Sequence, residues 1–254
     1  MITLIYVLTV LVLLLCLVSA GCGIAGREDK AFKSLYAAGA LAMVLFVANW
    51  MLAAAPPFGN MRHVMCFFPL VMAPAAWYLK CSRGLALAGW LAGASALALV
   101  GALCMPMQAA WRQMPALQSP WFAPHVISYV ISYGLMTVAA LMVAVGAIRK
   151  QPLPPLACDA ADAVVRLAFP FMTFGLWSGA LWADAAWGAY WSWDIKEVWA
   201  LLTWCVYLIY FHVARYEAFF GWRRPLLMIG FVAVVITFIV VNLLPNLQSL
   251  HTYA

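Results

Sequence analysis

Trp187-Gly188-Ala189-Tyr190-Trp191-Ser192-Trp193-Asp194-Ile195-Lys196-Glu197 sets four aromatic rings and three charges between two apolar runs, residues 165–186 and 198–214. Each run has about the length a helix needs to cross a bilayer. A connection between two membrane helices ordinarily carries turn residues and a few charges. This one has a single Gly and no Pro, and three of its rings are indoles. Such a segment builds a flat apolar wall that meets water on one side. An interfacial belt of Trp and Tyr at the headgroup level would account for the rings. It would not account for Asp194, Lys196 and Glu197 following at once.

The rest of the chain repeats the flanking pattern. Further apolar runs cover residues 2–21, 35–54, 63–79, 85–104, 125–148 and 225–244, which makes eight in all. The chain is 68% hydrophobic and only 9% charged, against about a quarter charged in a soluble domain. The expectation is an all-α integral membrane protein. Its fold is a bundle of about eight transmembrane helices with an outer Trp-rich loop, in a single polytopic domain spanning residues 1–254. The first run lacks a basic stretch before it and is long enough to span, so it is expected to stay as a helix rather than to be cleaved. Alanine richness suits close helix packing in lipid.

The net charge of +6 does not point to a nucleic-acid partner, and none is expected; in a membrane protein Lys and Arg mainly set orientation. Lys and Arg follow the first, third, fifth and seventh runs: Arg27, Lys30 and Lys33; Lys80 and Arg83; Arg149 and Lys150; Arg215, Arg223 and Arg224. Cytoplasmic loops are enriched in these residues. Both termini, the aromatic connection and the proline-containing segment 106–124 are then expected on the outer face. The seven cysteines form no C-x-x-C pair, which leaves thioredoxin-type redox work and a zinc site unsupported.

Only four histidines occur: His63, His125, His212 and His251. His125 opens the fifth run and His251 follows the eighth, so both are expected on the outer face with the aromatic wall. Imidazole is a normal axial ligand of haem iron, and a flat aromatic surface suits a porphyrin. His212 lies deep in the seventh run, about 20 Å from its outer end at the helical rise. An ionisable residue at that depth is a functional candidate by default. His63, beside Arg62 at an outer helix end, reads as an interfacial residue.

The order of residues in 187–197 resembles the tryptophan-rich "WWD" signature of cytochrome c assembly proteins. Three other stretches carry the resemblance: Trp121-Phe122-Ala123-Pro124-His125-Val126, the run from Tyr207 through His212 to Arg215, and Leu250-His251-Thr252-Tyr253. Together they resemble the CcsA/ResC type of system II cytochrome c biogenesis, best over residues 121–254. The resemblance implies that His125 and His251 ligate haem on the outer face and that His212 ligates it within the membrane. It implies that Trp187, Tyr190, Trp191, Trp193 and Asp194 hold the haem, with haem b as the cofactor. It also implies a CcsB/ResB-like membrane partner, which would supply the second ligand opposite His212, and an apocytochrome c with a C-x-x-C-H motif as acceptor. The activity implied is presentation of haem for thioether attachment, as part of a holocytochrome c synthetase. The expected location is the cytoplasmic membrane or a thylakoid-type membrane. Two alternatives stay open: a bis-histidine haem subunit exchanging electrons with quinone, and a CcmC-like haem-delivery protein.

Overall fold

The structure, a computed structural model, describes residues 1–106, 114–148 and 155–241, the first five of the last segment by backbone alone. Within them lie eight α-helices and no strand: α1 Ile2–Ile24, α2 Glu28–Ala53, α3 Met61–Arg83, α4 Ala88–Cys104, α5 Phe122–Ile148, α6 Pro155–Trp187, α7 Ile195–Val213 and α8 Arg223–Val235. Helices α1, α2, α3, α5 and α6, with the run Glu217–Val240 that contains α8, are long and apolar enough to cross a membrane. Helix α4 has 17 residues, about 26 Å at the helical rise, the short end of what spans. Helix α7, which carries Lys196, Glu197 and His212, is not among those six. The chain is an integral membrane protein built as a helical bundle.

Several helices outrun their apolar segments. Helix α2 starts at Glu28 instead of residue 35, because Glu28 and Asp29 fall in its first turn, where negative charge offsets the helix dipole. Helix α6 starts at Pro155, ten residues ahead of the apolar run. Proline suits a first helical position, since its missing N–H would have no partner there. Helix α8 leads into a π-helical turn, Ile236–Val240.

The chain divides into two compact units, Met1–Gln118 and Ser119–Ala254. In the first, α1 packs on α2 and α4, and α3 packs on α2 and α4. Small residues let the backbones meet: a Cβ on Gly23 would come to 2.8 Å from the Gly89 Cα, and one on Gly39 to 2.9 Å from the Ala73 Cβ. Ser19 Oγ donates to the Ala31 carbonyl at 2.7 Å and ties α1 to α2. In the second unit α5 pairs with α6, α7 with α8, and α5 also meets α8. Tyr207, fully buried, rests on Gly230, where a Cβ would come to 2.8 Å from the ring. Thr203 and Thr237 hydroxyls meet at 3.3 Å between α7 and the turn after α8. Several buried hydroxyls bond back to their own helix, as Thr9 does to Ile5 and Ser95 to Leu91, which satisfies them without water.

His63 is the clear departure from the interfacial reading. It is 7% exposed and Arg62 is 3% exposed. Asn60 caps α3 by accepting the His63 N–H at 2.8 Å. Arg62 Nη1 donates to the Ala102 and Met105 carbonyls, at 3.1 and 3.0 Å, and its guanidinium lies 4.3 Å from the Tyr6 ring centroid. The cation thus sits on the carbonyl end of α4, where the dipole favours positive charge. That attachment draws the first turn of α3 into the unit.

Candidate functional site

Helix α6 runs into the aromatic stretch, and Trp187 is its last residue. Gly188 breaks the helix at φ +75°, a left-handed conformation that glycine adopts without steric cost. Its N–H still reaches the Asp184 carbonyl at 2.8 Å. Asp194 then caps α7, with Lys196 N–H donating to its carboxylate at 2.9 Å. Lys196 and Glu197 therefore belong to the first turn of α7, and the connection itself is only residues 188–194.

Glu197 holds that connection in shape. It is 8% exposed and accepts the Ser192 N–H at 2.9 Å and the Asp194 N–H at 3.2 Å. The Ser192 hydroxyl approaches both carboxylate oxygens at 3.3 Å. Asp194 and Glu197 form a reciprocal capping box, the D-x-x-E variant of a pattern readable in sequence. The signal was present, but the charges read as parts of a loop.

The rings divide into two groups. Trp187 meets Trp182 edge-on at 4.9 Å, and Trp182, 2% exposed, lies 5.2 Å from Phe122 and 5.4 Å from His125. Trp191 and Trp193 meet edge-on at 5.8 Å. Tyr190 and Trp193 turn outward, 58% and 71% exposed. Trp193 also has φ +58°. Trp191 Nε1 is buried and meets no hydrogen-bond acceptor among the described residues.

His125 sits in the first turn of α5, its ring seated against α6. Nδ1 lies 2.9 Å from the Gly175 carbonyl, which can only accept, so Nδ1 carries the proton. The neutral ring then has its lone pair on Nε2, the atom suited to a metal. Gly179 makes room for the ring: a Cβ there would lie 2.6 Å from Nδ1. Trp182 thus links His125 to Trp187, two of the residues singled out in the sequence. Trp182 itself was missed, because it looked like one more apolar residue of a spanning helix.

His212 is the penultimate residue of α7, about 26 Å along the axis from Ile195 at the helical rise. It is exposed, and its Nδ1 lies 2.8 Å from the Leu208 carbonyl, which fixes the same tautomer as in His125. His251 lies outside the described residues. Among the described residues no three His, Cys, Asp or Glu side chains converge.

Residues 4–248 match the cytochrome c assembly protein family. The chain belongs to that family. The match reaches well ahead of residue 121, where the motifs begin, and takes in nearly all of the first unit. Among similar proteins is the cytochrome c biogenesis protein CcsA of Guillardia theta, 29% identical over 97% of this chain and 94% of that protein. CcsA of Synechococcus elongatus is 30% identical over 82% of both chains. CcsA of Chlamydomonas reinhardtii is 39% identical, over 58% of this chain and 44% of the relative's length. This member of the cytochrome c assembly family therefore has its broad role in cytochrome c maturation.

Proposed function

We propose that this chain receives haem b as a substrate and presents it to an apocytochrome c at the outer face of the membrane, in complex with a CcsB/ResB-like partner. The observation that carries the reading is the seat of His125: a carbonyl-pinned imidazole whose neighbour Trp182 runs on to Trp187 and the aromatic connection. The porphyrin supplies two vinyl groups, to which the thiols of a C-x-x-C-H segment add. The chain's own residues position and shield. His125 offers Nε2, with His251 as its opposite ligand. Tyr190, Trp191, Trp193 and Asp194 with Trp187 cover one edge of the macrocycle, and Glu197 keeps them in register by bonding the connection to α7. His212 offers Nε2 at the other end of α7, its second ligand coming from the partner. Positioning of this kind converts a bimolecular addition into a local one.

The four basic loops support the orientation, with the aromatic connection and both termini outside. Reporter fusions after Gly26 and after Ala189 should report opposite sides; agreement between them would remove the outer-face site. The site itself is tested with His125→Ala, purified and assayed beside a co-expressed C-x-x-C-H cytochrome. The variant should lose one axial ligand in its absorption spectrum and most of its yield of mature cytochrome. Losing both His125 and His251 should cost little more, since residues that act as a unit are not additive. An unchanged bis-histidine spectrum in the double variant would refute the site.

A further inference from the structure

We propose that Arg166 and Arg215 form a carboxylate-binding site flanking His212, and that it takes the two propionate groups of an iron porphyrin. The assignment rests on the reading of His212 as an axial ligand and adds the residues that would hold the porphyrin's acid edge.

Three observations converge on the end of α7. His212 is exposed, and its Nδ1 is pinned to the Leu208 carbonyl. Arg215, also exposed, follows three residues later, its backbone N–H bonded to the His212 carbonyl at 3.2 Å. Across from it, the Arg166 guanidinium of α6 stands 5.5 Å from the ring centroid of Phe211, the residue before His212. Its side chain is 49% exposed. The end of α7 thus carries one imidazole, with Arg215 three residues on along its own chain segment and Arg166 on the neighbouring helix, over the ring that precedes the imidazole.

The face of α6 and α7 beside Arg166 is aromatic. Phe169 stacks on Trp204 at 5.7 Å and meets Phe211 edge-on at 5.0 Å. Trp204 Nε1 is held by the Thr173 hydroxyl at 3.0 Å, so the indole is fixed in place. An aromatic face near the end of α7, with an imidazole and two arginines carried at the same end, suits a ligand that has a metal, a planar hydrocarbon body and two carboxylates.

The ion pairs permit the exchange. Arg166 reaches Asp162 through Nε at 2.6 Å. Asp162 also accepts the Tyr210 hydroxyl at 3.2 Å and pairs with Arg223 Nη2 at 3.5 Å. If Arg166 turns to another carboxylate, Asp162 keeps two partners and is not left as an unpaired buried charge, which would be costly. Guanidinium is the side chain best shaped for bidentate carboxylate recognition.

The test needs no variant at its first step. The full chain in nanodiscs of zwitterionic lipid is titrated with iron protoporphyrin IX and, separately, with its dimethyl ester, and absorption near the Soret band is followed. The component lost in His212→Ala defines this site. The free acid should bind there on the order of tenfold or more tightly than the ester, as expected for charge-assisted pairs. In Arg166→Gln with Arg215→Gln the preference should vanish while ester affinity holds, which also shows that the variant is folded. Lysine at both positions should restore part of it. Equal affinities in the wild-type chain would overturn the carboxylate site and leave His212 as a ligand. Unchanged binding of both porphyrins in His212→Ala would instead overturn the role of His212.

Discussion

Arg62 and Arg166 each bring a guanidinium to an aromatic ring in an otherwise apolar unit, yet their surroundings differ. Arg62 is 3% exposed, and its Nη1 is committed to two carbonyls at the end of α4. The Arg166 side chain is half exposed and shares one carboxylate with Arg223 and Tyr210. The histidines repeat the contrast. His63 is buried within the first unit, while His212 is exposed in the second. In the first unit Arg62 Nη1 is fastened to the chain itself, although Nε and Nη2 of the same buried group meet no hydrogen-bond acceptor among the described residues. In the second, Arg166 and His212 stand at the surface, where a further partner can reach them. Residue type does not separate the two settings; exposure does.

The largest effect is expected from Arg62→Ala, which removes two hydrogen bonds from a charged donor. Each is worth about 1.5–3 kcal/mol, and relief from burying the cation offsets part of the loss. The net expectation is a fall of about 3 kcal/mol in stability, seen as a lower melting temperature in detergent, with the porphyrin spectrum unchanged. A changed spectrum with unchanged melting would break the contrast, since it would make Arg62 part of the site.

A smaller effect is expected from Gly179→Ala. The added methyl would meet the His125 ring at 2.6 Å, so the imidazole must move. Overpacking of this kind costs about 1–3 kcal/mol. His125, the proposed ligand, is itself untouched, so a drop in the bis-histidine spectral component, with melting lowered by only a few degrees, would tie the spectrum to the seat of the ring. Full retention of that component would show that the spectrum does not depend on the seat of the His125 ring against Gly179.

The eight helices were legible because a bilayer forces each span to declare itself as a long apolar run. Their ends were less so. Hydropathy marks where a helix leaves hydrocarbon, but Glu28 and Asp29, and Asp194 with Glu197, show helices starting among charges that stabilise their N-terminal dipoles. The aromatic connection and His125 were visible as residue types in a suggestive order. The seat of His125 was not, because it depends on the register of α5 against α6, which puts Gly175 and Gly179 opposite the ring. The burial of His63 was equally hidden. It follows from Arg62 reaching forty residues along the chain to Ala102, a pairing that no local pattern announces.

Trp193 carries a further consequence. A bulky residue at φ +58° sits where glycine or asparagine would be more comfortable, at a cost of about 1 kcal/mol or more. Its ring is 71% exposed, so little burial within the described chain repays that cost. A sequence chosen only for thermal robustness would place Gly at 193, and such a protein should melt higher than this one. An engineer screening for heat resistance alone would therefore be led to discard the most exposed indole among the described residues.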